Sequence, residues 1–187
     1  MYLTDLPYCP QDDWYAGLYR RIYYAPASWF RKLETSPQIH SLLEMTVDVH
    51  QIEMKIGCEL KYIDVLYESA HIENQKKGVF GVSKFSSTLE FSLPTHLLPN
   101  RIFMYSTANE PMVFIVPDNN GRSWIVGNLY NPAKQQTNRL STGQSVEGDS
   151  TLQLSYTAQS PLYRLKGEIE AIESVGAFST GFSNGFA

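Results

Sequence analysis

Two stretches of the chain alternate apolar and polar side chains without a break. Within 86–93, Leu89, Phe91 and Leu93 point one way and Thr88, Glu90 and Ser92 the other. Within 151–157, Leu152, Leu154 and Tyr156 oppose Gln153, Ser155 and Thr157. A period of two makes each stretch a strand with one buried and one polar face. Residues 112–116 (MVFIV) and 123–126 (SWIV) are continuously apolar and flank Asp118-Asn119-Asn120-Gly121. Asn-Gly between apolar runs predicts a hairpin closed by a type I′ turn.

The other elements are weaker. Residues 17–25 predict a strand stopped by Pro26, and 27–34 a short helix carrying Trp29, Phe30 and Leu33. Val47 and Val49 alternate, then the apolar phase slips to Ile52, Met54 and Ile56, which predicts a bulge or an intervening loop. Residues 60–67 and 162–172 predict further strands. In the last, Leu165, Gly167, Ile169 and Ala171 face one way and Arg164, Lys166, Glu168 and Glu170 the other. The main helix is expected over 95–110, with Thr95 as N-cap and Leu97, Leu98, Arg101, Ile102 and Tyr105 at helical spacing; Pro99 fits only its first turn. The polar stretches 71–81 and 128–149 read as loops, the second long enough to be functional or interfacial.

The sum is six to eight strands and one main helix. The expected fold class is mainly β: a β-sandwich or barrel with one flanking α-helix and extended terminal arms. Residues 1–14, with Pro7 and Pro10, form the N-terminal arm, 15–173 one β-rich domain, and 174–187 a tail. That tail (GAFSTGFSNGFA at its end) is too polar and Gly-rich to fold alone, but Phe178, Phe182 and Phe186 suit docking between subunits.

Composition narrows the function. The net charge of −4, with no run of like charge, disfavours tight phosphate binding. Two cysteines, Cys9 and Cys58, make no disulfide framework and suit a reducing cytoplasm. Neither a signal peptide nor a membrane-length apolar run is read, so no membrane partner is expected. The 12 tyrosines suit strands and interfaces alike.

Catalytic chemistry is not evident. Gly181-Phe182-Ser183-Asn184-Gly185 matches G-x-S-x-G, but that elbow needs a strand before it and a helix after it. His40, His50, His71 and His96 lack metal-ligand spacing, no C-x-x-C occurs, and no Gly-rich phosphate loop follows a strand. Glu168 and Glu170 alternate with Arg164 and Lys166, as a charged strand face does. No enzyme activity, cofactor or metal is expected.

The segment VFIVPDNNGRSWIVGNLYNP, the Ser141-Thr142-Gly143 loop and the stretch 149–156 resemble the C-terminal half of structural proteins from phages of the Bacteroidetes. RIYYAP at 21–26 is similar to their N-terminal part. Residues 34–58 depart from the pattern. The resemblance implies a bacteriophage tail-tube subunit: a β-sandwich with a flanking helix, six to a ring, inner sheets closing into one barrel. Rings stack through a long loop, for which 34–58 is the first candidate, and through terminal arms. It further implies assembly in the bacterial cytoplasm, a place in the virion tail, and tape-measure and terminator proteins as partners.

A lumen that passes DNA must not grip phosphate. Thr88, Glu90 and Ser92, with Gln153, Ser155 and Thr157, contain no Lys or Arg and are the expected lumen-facing residues. The alternatives are a tail terminator, head–tail connector or baseplate hub of the same fold, or a monomeric β-sandwich that binds carbohydrate.

Overall fold

The computed structural model describes residues 16–35, 45–78, 84–142 and 150–172. The two terminal arms lie outside the described residues, and with them Cys9, Ser183, Phe178, Phe182 and Phe186; so does His40. The chain is mainly β, with a single α-helix among the described residues, as the patterning predicts.

Three layers build it. The middle layer is a six-stranded sheet made of β1 (Arg21–Pro26), β3 (Thr46–Asp48), β5 (Lys61–Asp64), β8 (Met112–Pro117), β9 (Ser123–Val126) and β12 (Tyr163–Lys166). Their order is β3-β12-β9-β8-β1-β5. On one side lies a four-stranded antiparallel sheet of β6 (His71–Lys77), β7 (Lys84–Pro94), β10 (Lys134–Ser141) and β11 (Thr151–Ala158), ordered β10-β11-β7-β6. On the other side, β2 (Phe30–Leu33) pairs with β4 (Ile52–Met54).

Strand β8 shows why the middle sheet needs two covers. Met112, Phe114 and Val116 pack toward the four-stranded sheet, against Phe91, Leu152 and Tyr156. Val113 and Ile115 pack the opposite way, against Phe30, Ile52 and Met54. A strand buried on both faces reads as an unbroken apolar run, not an alternating one. The helix α1 (Leu98–Ser106) inserts Phe103 and Met104 at the border of the first core.

Tyr156 sits at the centre of that core. Its ring lies 4.7 Å from Phe114, and its hydroxyl is 2.6 Å from Thr107 Oγ1. Burial pushes its phenol up to about 12. The folded chain therefore keeps a proton that the unfolded chain releases above pH ~10. Stability is whole below pH ~10 and falls as pH rises toward 12, by up to about 2–3 kcal/mol. Denaturant titrations across this window should show Tyr156→Phe with a flatter pH dependence than the parent; equal slopes would refute the assignment.

Several expectations need correction. Twelve strands are present among the described residues, not six to eight. Residues 27–34 are not a helix: a 3₁₀ turn at Ala27–Trp29 leads into β2. The pairing of β2 with β4 slips between Phe30 and Lys32. That bulge buries both Phe30 and Leu33, a three-residue spacing that mimics a helix. The phase slip after Val49 is a 3₁₀ turn at Val49–Gln51, capped by Asp48. Residues 46–54 thus belong to packed strands and turns and are no free loop.

Helix α1 is capped by Leu97, while the Thr95 hydroxyl bonds to Ser150. Its exposed face carries Leu98, Ile102 and Tyr105, so the apolar positions read from the sequence lie mostly outward. The β8–β9 turn is not type I′: Gly121 has φ +72°, but Asn120 is not in the positive region. Gly121 N–H donates to Asp118 O, a type I turn followed by a left-handed glycine. Asp118 Oδ1 accepts from the amides of Asn120 and Arg122, which holds the loop. Strand β12 ends at Lys166, because Gly167 (φ +105°) packs on Val49 and turns the chain away.

The two stretches read as loops contain strands. His71–Lys77 is β6, and Lys134–Ser141 is β10. Both lie at the borders of the four-stranded sheet and are mostly exposed on both faces. Such strands have no buried face to impose alternation, so no periodic signal marks them.

Candidate assembly surface

The inner face of the four-stranded sheet is apolar, because Leu89, Phe91 and Leu93 of β7 lie opposite Tyr156, Leu154 and Leu152 of β11. The intervening residues must therefore share the outer face. Register pairs Thr88 with Thr157, Glu90 with Ser155, and Ser92 with Gln153. All six residues singled out from the alternation meet as three direct cross-strand pairs. The hydroxyls of Thr88 and Thr157 are 3.1 Å apart. Ser155 Oγ donates to Glu90 Oε1 at 3.2 Å.

The flanking strands widen this face and change its charge. On β6, His71 lies opposite Glu90 and Glu73 opposite Thr88. His71 Nε2 stands 3.5 Å from Glu90 Oε2. On β10, Lys134 lies opposite Thr157, Thr137 opposite Ser155, and Arg139 opposite Gln153. Lys77 and Lys84 pair at one end. A shallow depression of about 390 Å³ runs over the middle, between His71, Glu90, Arg139 and Gln153. The face expected to lack Lys and Arg thus has none on β7 between residues 86 and 93 and none on β11, but is bordered by both. Glu73 and Glu90 stand among these cations, so no unbroken basic strip runs along it.

His71, Glu73, Lys134 and Arg139 were not found by sequence reasoning, since they lie in stretches that read as loops. The hint available was Ile72, the one apolar residue of β6 that packs inward.

Among the described residues the sheet ends in two free borders. Among the described residues, β6 pairs only with β7 and β10 only with β11. An unpaired strand border exposes a row of N–H and C=O groups that a further strand can satisfy.

Elsewhere the carboxylates and thiol take ordinary places. Tyr23 donates to Glu170 at 3.1 Å. Cys58 is a half-buried free thiol against the second core. Among the described residues, no three His, Cys, Asp or Glu side chains gather where they could hold a metal ion, and no helix is long and apolar enough to cross a membrane. No protein-family model, curated protein or solved structure matches this chain.

Proposed function

We propose that this chain is a structural subunit of a bacteriophage tail tube, with no catalytic role, which closes into a ring by joining its four-stranded sheet to copies of itself. The observation that supports this most is that, among the described residues, the sheet has both borders free and an even number of strands. Neighbouring strands within it are all antiparallel, so β6 and β10 run in opposite directions. Rotating copies about one axis sets β6 of each beside β10 of the next, still antiparallel. One hydrogen-bonded ladder can then run around the whole ring, and closure removes every free border of that sheet.

In this reading the polar outer face lines the lumen. Six copies supply 24 strands, for a backbone diameter of about 45–50 Å at ordinary barrel tilt, wide enough for duplex DNA. Hydroxyls, amides and cations interrupted by Glu73 and Glu90 suit passage better than capture. Residues 36–44 and the terminal arms, outside the described residues, are the candidates for joining ring to ring and for meeting tape-measure and terminator proteins.

Negative-stain microscopy and sedimentation of the pure protein test this. Rings and stacked tubes should appear as concentration rises. Rings of fixed height that never stack would move the assignment to a terminator, connector or hub. A monomer at every concentration would overturn the proposal, and a monomer that binds glycans would favour a carbohydrate-binding module.

A further inference from the structure

Resting on that reading, we infer that the seam between copies has one register, in which Glu73 of β6 lies directly opposite Arg139 of β10 in the next copy. The four-stranded sheet is not a rectangle. Glu73, Thr88, Thr157 and Lys134 share one level across it, and His71, Glu90, Ser155 and Thr137 share the next. At the levels beyond, β6 and β10 part company. β6 continues through Gln75 to Lys77 in one direction, while β10 continues through Arg139 to Ser141 in the other. Joined level to level, the two borders would overlap only at Glu73–Lys134 and His71–Thr137 and leave most of each strand unpaired.

Sliding the second copy until its β10 lies along the whole of β6 solves this. Lys77 then faces Lys134, Gln75 faces Thr137, Glu73 faces Arg139 and His71 faces Ser141. The slide is two levels, from Lys134 to Arg139 opposite Glu73; each level is two residues along β6, so the stagger is four residues for four strands. The slip between Gln135 and Thr137 keeps Lys134, Thr137 and Arg139 on one face.

Barrel geometry supplies an independent check. Four residues at about 3.4 Å, over four strands at about 4.8 Å, tilt the strands by about 35°. That is the lower end of the tilt that closed barrels use, whereas level joining gives no tilt at all. The offset built into one subunit is the stagger a ring of such subunits needs.

Charge agrees with the slide at its centre. Among the described residues Glu73 accepts only from the Gln75 amide, 2.6 Å away, and neither Glu73 nor Arg139 joins a salt bridge. Opposite charges directly across two strands favour a pairing and like charges oppose it, but level joining also gives Glu73 a cation, Lys134, so the overlap and the tilt select the slide, not charge. The Lys77–Lys134 meeting is such a like pair, at the end of the seam where both side chains can turn to solvent.

The test uses the full chain with Cys9→Ser and Cys58→Ser as background. Glu73→Cys with Arg139→Cys, treated with a short thiol cross-linker, should give a ladder of covalent oligomers. Glu73→Cys with Lys134→Cys should give none. Glu73→Arg and Arg139→Glu should each weaken assembly at least tenfold by sedimentation, and the double reversal should restore it, with all three melting like the parent. Rings that cross-link through 73–134, or that ignore the reversals, would overturn this register and leave the ring standing. A parent that never assembles would remove the ring, and the register with it.

Discussion

Phe114→Ala should lower the unfolding free energy by about 3–5 kcal/mol. The side chain is fully buried at the middle of β8. It lies 4.7 Å from the Tyr156 ring, 6.4 Å from Phe91 and 6.5 Å from Tyr24. Truncation removes the aromatic contacts from three neighbours at once and leaves a void between two sheets, which strands cannot close without breaking their ladders. Against a total stability of about 5–15 kcal/mol, that is a large share. Urea titration gives the value directly, and Phe114→Leu should lose much less. A loss below about 1 kcal/mol for the alanine variant would mean that β8 is not the central strand described above.

The second large effect comes from the backbone. Gly127→Ala should cost about 2–4 kcal/mol. Gly127 lies just after β9, where the chain leaves the middle sheet for the outer one, and it adopts φ +87°. A Cβ there would stand 2.7 Å from Ala133 N and 3.0 Å from Met112 O. Those two atoms hydrogen-bond to each other at 2.8 Å, fastening the crossing to β8. The side chain cannot be admitted without parting that bridge. Gly121→Ala separates the two causes: Gly121 has φ +72° but nothing within 4 Å of the added carbon. It should lose only the left-handed penalty, about 1–2 kcal/mol. Thermal and urea melts of the pair decide it; equal losses would show that the clash at 127 relaxes away.

Where one face of a strand is buried and the other wet, the pattern along the chain was enough. Strands β7 and β11 follow from their alternation alone, and so do the six polar residues of their shared outer face. The β8–β9 hairpin follows from apolar runs around Asp118–Gly121, although the turn type does not. A type I turn with a left-handed glycine needs positive φ at Gly121 only, and Asp118 holds it through two amides. Asn-Gly is compatible with both turns, so side-chain bonds within the folded loop select between them.

Local order misled where tertiary packing overrode it. Phe30 and Leu33 carry helical spacing, yet they enter the second core from a bulged strand. Leu98, Ile102 and Tyr105 look like the inner face of α1, yet Phe103 and Met104 are the residues it buries. Nothing in a one-dimensional pattern says which of two apolar stripes finds a partner.

Alternation therefore determined the class of the fold, its central hairpin and the polar strip at the middle of the four-stranded sheet's outer face, because a period-two burial pattern is a local property of the backbone. Folding in three dimensions decided that the middle sheet has two covers. It also decided that β6 and β10 exist, and that Glu73, Lys134 and Arg139 border the strip. Those strands bury almost nothing of their own, so they are held by the ladders of β7 and β11, and backbone hydrogen bonds to a neighbouring strand impose no apolar period that a sequence could show.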